Sequence, residues 1–202
     1  PEKYLLIYVD THMIQHGGEF IAKAGPVFAG YELLLSSIVD TLKEMRRNQE
    51  WLYPQDEEIR DYIFKQIETN YQTFSSNRLG DSYAGLRYFR NSCDLLVGVY
   101  PDLHLIFLID EVERLFKYLP PFFFEQLRGV RDKFKRQLMY VTTSRFLMSE
   151  LRATYEDYDN KEIVEGFEDS SMYLFFFYAV KEFALREFCF MVTKMRVLVQ
   201  NL

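Results

Sequence analysis

The feature that most constrains the fold is the run Leu103–Ile109, LHLIFLI, which Asp110 and Glu111 follow directly. Only His104 interrupts a row of bulky apolar residues, and near-continuous rows of this kind are typical of strands buried on both faces of a parallel sheet. Three further runs share this character: Tyr4–Val9, Leu138–Thr142 and Tyr173–Tyr178. The sequence therefore predicts a mainly parallel sheet.

Apolar residues at helical spacing separate these runs. The spacing predicts helices over about residues 31–45, 59–74, 83–97 and 122–134, a short turn over 112–118 and a closing amphipathic helix over Lys181–Met195. A loop containing Gly17, Gly18, Gly25 and Pro26 is expected after the first strand. Strands that alternate with helices favour an α/β fold with helices on both sides of the sheet, a three-layer αβα arrangement.

Composition sets the broad class. The chain has 202 residues, of which 49% are hydrophobic and 17% aromatic, which suits one domain over residues 1–202 with its core over 4–178 and the closing helix over about 180–196.

The net charge of −6 argues against a nucleic-acid-binding face. Cys93 and Cys189 lie in apolar surroundings and no signal peptide is present, so we predict a cytoplasmic protein. Met172–Val180 is too short to span a bilayer.

Polar residues follow three of the predicted strands. Asp10-Thr11, Asp110-Glu111 and the group Thr142–Arg145 should meet, because parallel strands end at the same edge of a sheet. An Asp at a strand tip can hold Mg²⁺ through water, and the next acid can polarise an attacking water. The alternatives are that the acids begin a helix and that Thr142–Arg145 is a plain connection.

LIFLIDE over residues 105–111 and LMYVTTSR over residues 138–145 resemble the Walker B and sensor 1 strands of AAA+ and STAND-class P-loop ATPases. The resemblance implies an ATP and Mg²⁺ site, with Asp110 as the magnesium-organising acid and Glu111 as the catalytic base. It also implies a sensor role for Thr143 and a sensor or structural role for Arg145. Thr142 and Ser144 would contact the cofactor in Thr143's place if the register slips. In that family the acid-bearing strand lies between the strand that Tyr4–Val9 resembles and the sensor strand.

One departure from that family is large. The sequence contains no G-x-x-x-x-G-K-S/T phosphate-binding motif, and Gly17-Gly18 is followed by Glu19. By the resemblance the chain begins just after the P-loop unit, so we expect it to be part of a longer protein and inactive alone. The expected partners are a nucleotide, other domains of that longer chain, and an oligomer or protein partner, with neither nucleic acid nor membrane.

Two functions remain open at this point. The first is an ATP-binding and ATP-hydrolysing switch domain, and the second is a degenerate, non-catalytic interaction module that keeps the fold. A zinc site at His12 and His16, which lie four residues apart, is disfavoured because both fall in the expected loop region and no third ligand stands out. Ser144 lacks a G-x-S-x-G context and is not expected to be a nucleophile.

Overall fold

The computed structural model describes residues 3–16, 25–48, 57–76 and 82–145. Helices and strands alternate within these ranges, in the order β1 Lys3–Val9, α1 His12–His16, α2 Pro26–Asn48, α3 Glu57–Ser76, α4 Ser82–Val99, β2 Leu103–Ile109, α5 Glu113–Tyr118, α6 Pro121–Phe134 and β3 Leu138–Thr142. A 3-10 turn over Lys135–Gln137 joins α6 to β3. The predicted strand Tyr173–Tyr178 and the closing helix lie outside the described residues.

The three strands form one parallel sheet in the order β1-β2-β3. β1 pairs with β2 from Lys3↔Leu103 to Val9↔Ile109, and β2 pairs with β3 from Leu105↔Leu138 to Ile109↔Thr142. The predicted parallel pairing is confirmed, and β2 lies between its two neighbours as the resemblance implied. All three carboxyl ends therefore meet at one edge of the sheet.

The core lies between one face of this sheet and three helices. Phe107 of β2 contacts the ring of Phe89 on α4 at a centroid distance of 5.5 Å, and Tyr31 on α2 contacts both Phe89 and Phe123 of α6. The Tyr140 hydroxyl reaches the Leu127 carbonyl of α6 at 3.4 Å. Crossovers between parallel strands are right-handed, so strands that progress in one direction carry their connecting helices on the same face.

The opposite face of the sheet is mainly apolar as well. Alternate residues of a strand point to opposite sides, and those that point away from the core are Tyr4, Leu6, Tyr8, His104, Ile106, Leu108, Met139 and Val141; we call them the second sheet face. Tyr4 is 41%, Tyr8 56% and Met139 48% exposed. The described residues thus show a mixed α/β fold with one helical layer on a parallel sheet, and they do not complete the expected three layers.

Two helices depart from the sequence-based expectation. His12–His16 forms helix α1, where we expected a loop, and the backbone N–H of His12 donates to Asp10 Oδ1 at 3.0 Å at its start. The first long helix begins at Pro26, five residues before the first position of the apolar pattern at Tyr31. Proline is favoured in the first turn of a helix because that turn needs no N–H donor there.

None of the helices within residues 3–16, 25–48, 57–76 and 82–145 is both long enough and apolar enough to cross a bilayer.

Candidate functional site

The site lies at the carboxyl edge of the sheet, where β2 and β3 end side by side. Backbone hydrogen bonds extend their pairing past the strands: the Thr143 N–H donates to the Ile109 carbonyl at 2.9 Å, and the Val112 N–H donates to the Thr143 carbonyl at 2.9 Å. Thr143 is thereby fixed against Asp110 and Glu111, the two acids that follow β2.

Three donors orient the carboxylate of Asp110. The Thr143 hydroxyl donates to Asp110 Oδ1 in a short hydrogen bond, and the Glu111 N–H donates to the same oxygen at 3.0 Å. The Tyr8 hydroxyl donates to Oδ2 at 3.3 Å. Burial and the negative charges of Asp110 and Asp10 raise the pKa of Tyr8, so this phenol stays protonated as a donor.

The side chain of Glu111 is surrounded by cations. Arg114 pairs with its Oε2 and Arg145 with its Oε1, both at close range, while His12 Nε2 lies 3.5 Å from Oε2. The residue is buried, with 8% of its surface exposed. Both carboxylate oxygens are thus engaged, and an attacking water would have to replace an arginine before Glu111 could act on it as a base.

The backbone at Glu111 has an uncommon conformation. Its φ is 48°, in the left-handed region that costs an ordinary residue about 1–2 kcal/mol. Two threonines hold this turn from both neighbouring strands. The Thr11 hydroxyl lies 2.8 Å from the Asp110 carbonyl and 3.4 Å from that of Glu111, and the Thr143 hydroxyl accepts the Glu111 N–H at 3.2 Å.

The structure brings together four of the six residues that the sequence singled out: Asp110, Glu111, Thr143 and Arg145. Thr142 instead pairs with Ile109 inside the sheet, and strand alternation turns its side chain away from that of Thr143. Ser144 is half-buried just beyond it. The backbone N–H of Arg145 also donates to Glu113 Oε1 at 3.3 Å, so this arginine contacts two acids.

Thr11 was expected at this edge, because it directly follows Asp10 at the end of the first strand, and the structure places its hydroxyl there. Three contacting residues were not predicted from the sequence: Tyr8, His12 and Arg114. Arg114 lies three residues after Glu111, a spacing that brings side chains together on a helix. Tyr8 and His12 carried no comparable signal, because their contacts depend on how β1 and α1 sit beside β2.

The donors at this edge suit Mg²⁺ better than zinc. One carboxylate, that of Asp110, with hydroxyl neighbours fits Mg²⁺, which keeps several of its waters when it binds to proteins. Zinc prefers three or four nitrogen, sulfur or carboxylate ligands. Across the described ranges, no group of three or more His, Cys, Asp and Glu side chains is placed to hold a metal ion.

The fold and this edge define a class: an α/β protein with a parallel sheet whose central strand ends in an acidic pair held by threonine hydroxyls and arginines. None of the protein-family models, curated proteins and solved structures compared with the chain matches it.

Proposed function

We propose that this chain belongs to an ATP-binding and ATP-hydrolysing switch domain of the AAA+/STAND type. One observation supports the proposal above the others. The acids that end β2 lie directly beside the polar ending of β3, with Thr143 hydrogen-bonded to both Asp110 and the Glu111 backbone. Phosphoryl transfer needs an arrangement of this kind, because metal-organising, base and sensor groups must meet around one phosphate.

Each residue has a role in this proposal. Bound Mg²⁺ would neutralise charge on the β- and γ-phosphates of ATP. Asp110 would orient the waters of that ion, and its own direction is fixed by Thr143 and Tyr8. Glu111 would accept a proton from the attacking water, and Arg145 would balance negative charge that develops in the transition state.

The ion pairs of Glu111 add a condition to this mechanism. Arg114 and Arg145 together occupy both oxygens of its carboxylate. Arg145 is the better candidate to leave, because 64% of its side chain is exposed compared with 21% for Arg114. Movement of Arg145 from Glu111 towards a γ-phosphate would free Oε1 for water and supply the cation at the same time.

The test uses the protein at its natural length, because this function needs a phosphate-binding loop and the sequence contains no G-x-x-x-x-G-K-S/T. We expect Mg²⁺-dependent ATP hydrolysis, and Glu111→Gln should lower kcat about 10²-fold or more while ATP binding is retained. Glu125→Gln, an exposed acid on α6, is the control and should hydrolyse ATP at the unchanged rate. Equal rates for both variants would exclude Glu111 as the base.

A second candidate function is a non-catalytic interaction module. It is favoured by the neutralisation of Glu111, since a carboxylate paired with two arginines serves structure as well as chemistry. Titration of the natural-length protein with ATP and Mg²⁺ separates the candidates. A folded protein that binds no ATP at millimolar nucleotide supports the module and contradicts the ATPase proposal.

A further inference from the structure

The second sheet face has the composition of a surface that is buried in the folded protein. Seven of its eight residues are apolar or aromatic and only His104, near the amino ends of the strands, is polar, whereas a solvent-facing strand surface alternates with polar residues. Tyr4, Tyr8 and Met139 nevertheless have between 41% and 56% of their surface exposed. Contiguous apolar surface of this kind marks a contact site in a folded protein.

The dimensions of this face match one short helix. β2 has seven residues, which span about 23 Å at 3.3 Å per residue. The distance from β1 to β3 across the sheet is about 10 Å, because neighbouring strands lie about 4.8 Å apart. A helix of about 15 residues is about 22 Å long and about 10 Å wide.

The chain itself contains a segment of this length. It continues for 57 residues beyond Arg145 (202 − 145), and within them residues 181–195 carry an apolar stripe at helical spacing: Ala184, Leu185, Phe188, Met191, Val192 and Met195. Lys181, the first residue of the segment, is in line with this stripe, and the other charged residues fall outside it: Glu182, Arg186, Glu187 and Lys194. Phe183 and Phe190 fall on the opposite side of the helix that this spacing predicts. The 35 residues between Arg145 and Lys181 (146–180) can cross from the sheet edge to either face.

We propose that residues 181–195 dock on the second sheet face with this apolar stripe and form the helical layer on that side. The stripe has the width of one helix face, and the sheet face has the area of one helix. The inference is independent of the proposed ATPase function, since it rests only on the sheet geometry and the sequence of the segment.

Cysteine labelling of the full chain tests this docking. Cys93 is buried, so replacement of Cys189 by Ser leaves no reactive thiol among the native cysteines of the folded protein. Met139→Cys then reports on the second sheet face, and Tyr62→Cys on the exposed side of α3 serves as the matched control. We expect maleimide to react about tenfold or more slowly at position 139 than at position 62.

A charge in the apolar stripe should remove this protection. Val192→Asp, added to the Met139→Cys reporter, is expected to bring the two labelling rates within about twofold of each other, because a carboxylate cannot be buried against apolar residues without a partner. Arg186→Asp, on the side of the segment opposite the stripe, should leave position 139 protected. Fast labelling of Met139→Cys without any change in the segment overturns the proposal.

Two other results would also overturn it. Protection that grows with protein concentration assigns the face to a second copy of the chain, and protection that survives Val192→Asp assigns it to a different segment. If Val192→Asp does not fold, a short bismaleimide applied to the Met139→Cys, Val192→Cys, Cys189→Ser chain decides. Docking predicts a cross-link within one chain, and its absence contradicts docking.

Discussion

At the scale of single residues, Tyr31 lies at a closely packed contact between helices. This tyrosine is fully buried on α2, contacts the Phe123 ring at 4.9 Å and donates its hydroxyl to Gln126 Oε1 at 2.9 Å. Gly85 on α4 faces it, and a Cβ at that position would lie 2.5 Å from Tyr31 Cδ2 and 2.8 Å from its Cβ. The close approach of α2 and α4 therefore depends on the missing side chain of Gly85.

Gly85→Ala is expected to lower the free energy of unfolding by about 1–3 kcal/mol, because the added methyl overpacks a site that cannot expand without moving α2 or α4. Gly98→Ala on the same helix is the control: nothing lies within 4 Å of a Cβ there. It should be neutral or slightly stabilising, since alanine is the better helix former. Urea denaturation followed by circular dichroism measures both, and equal stabilities would contradict the packing argument.

At the scale of elements, one hydroxyl adds side-chain hydrogen bonds to the backbone pairing of β2 and β3 at their carboxyl ends. Thr143 donates to Asp110 Oδ1 and accepts the Glu111 N–H, whereas neighbouring Thr142 pairs with Ile109 through the backbone. Thr143→Val should cost about 1–3 kcal/mol of stability, because it removes one of the three donors to a part-buried carboxylate and one of the two acceptors of the Glu111 N–H.

Thr142→Val provides the matched comparison, since it makes the same chemical change one residue earlier. We expect its effect to stay within about 0.5 kcal/mol, as valine suits a half-buried strand position. Thermal unfolding at neutral pH measures the difference. If the two variants lose equal stability, the Thr143 hydroxyl does not hold the site together.

The bounds of the strands could be predicted from the sequence, whereas those of helix α1 could not. Predicted and observed strands coincide at Leu103–Ile109 and Leu138–Thr142, and β1 gains only Lys3. Long apolar runs bounded by polar residues determine such strands locally. Helix α1 escaped prediction because its five residues carry no apolar periodicity, and its start depends on a cap from Asp10.

The candidate site was predictable in part for a related reason. Parallel strands share one edge, so Asp110, Glu111 and Thr143 could be placed together without any knowledge of packing. The pairing of Glu111 with Arg145 could not, because it depends on the direction that the left-handed backbone at Glu111 gives to this side chain. No local pattern predicts that conformation for a glutamate, which only rarely adopts a positive φ.

At the scale of the whole molecule, the core formed by the described residues buries two tyrosines, Tyr31 and Tyr140, and the thiol of Cys93. Burial is the largest cause that raises the pKa of Tyr31, of Tyr140 and of Cys93 above their ordinary values. In the unfolded chain a tyrosine loses its proton near its ordinary pKa of 10.0, but the folded protein keeps these groups protonated to higher pH. The protein should therefore become less stable in alkali.

The loss of stability in alkali follows from the linkage between folding and proton binding. Below about pH 9 both states hold these protons, so the tyrosines contribute their full stability. As the pH rises through 10.0, the ordinary tyrosine pKa, the unfolded state binds fewer protons than the folded state, and the free energy of unfolding falls until the folded-state pKa values are passed. We expect Tyr140→Phe to weaken this decline, measured by urea denaturation from neutral pH into the alkaline range.

Tyr83→Phe is the control for this experiment, because Tyr83 is 66% exposed. Its alkaline decline should equal that of the unaltered protein. At neutral pH, Tyr140→Phe should cost only about 0.5–1.5 kcal/mol, the loss of its hydrogen bond to Leu127. An unchanged decline in Tyr140→Phe would show that this phenol does not couple stability to pH.

The pairing of β1 with β2 has a consequence for synthesis. Lys3 finds its partner Leu103 one hundred residues later (103 − 3). At about 5–20 residues per second, the ribosome delivers β2 about 5–20 s after β1. During that interval the apolar strand YLLIYV has no neighbour to receive its backbone hydrogen bonds. The strand therefore leaves its apolar side chains and backbone hydrogen-bonding groups exposed on the nascent chain until α4 and β2 have been translated.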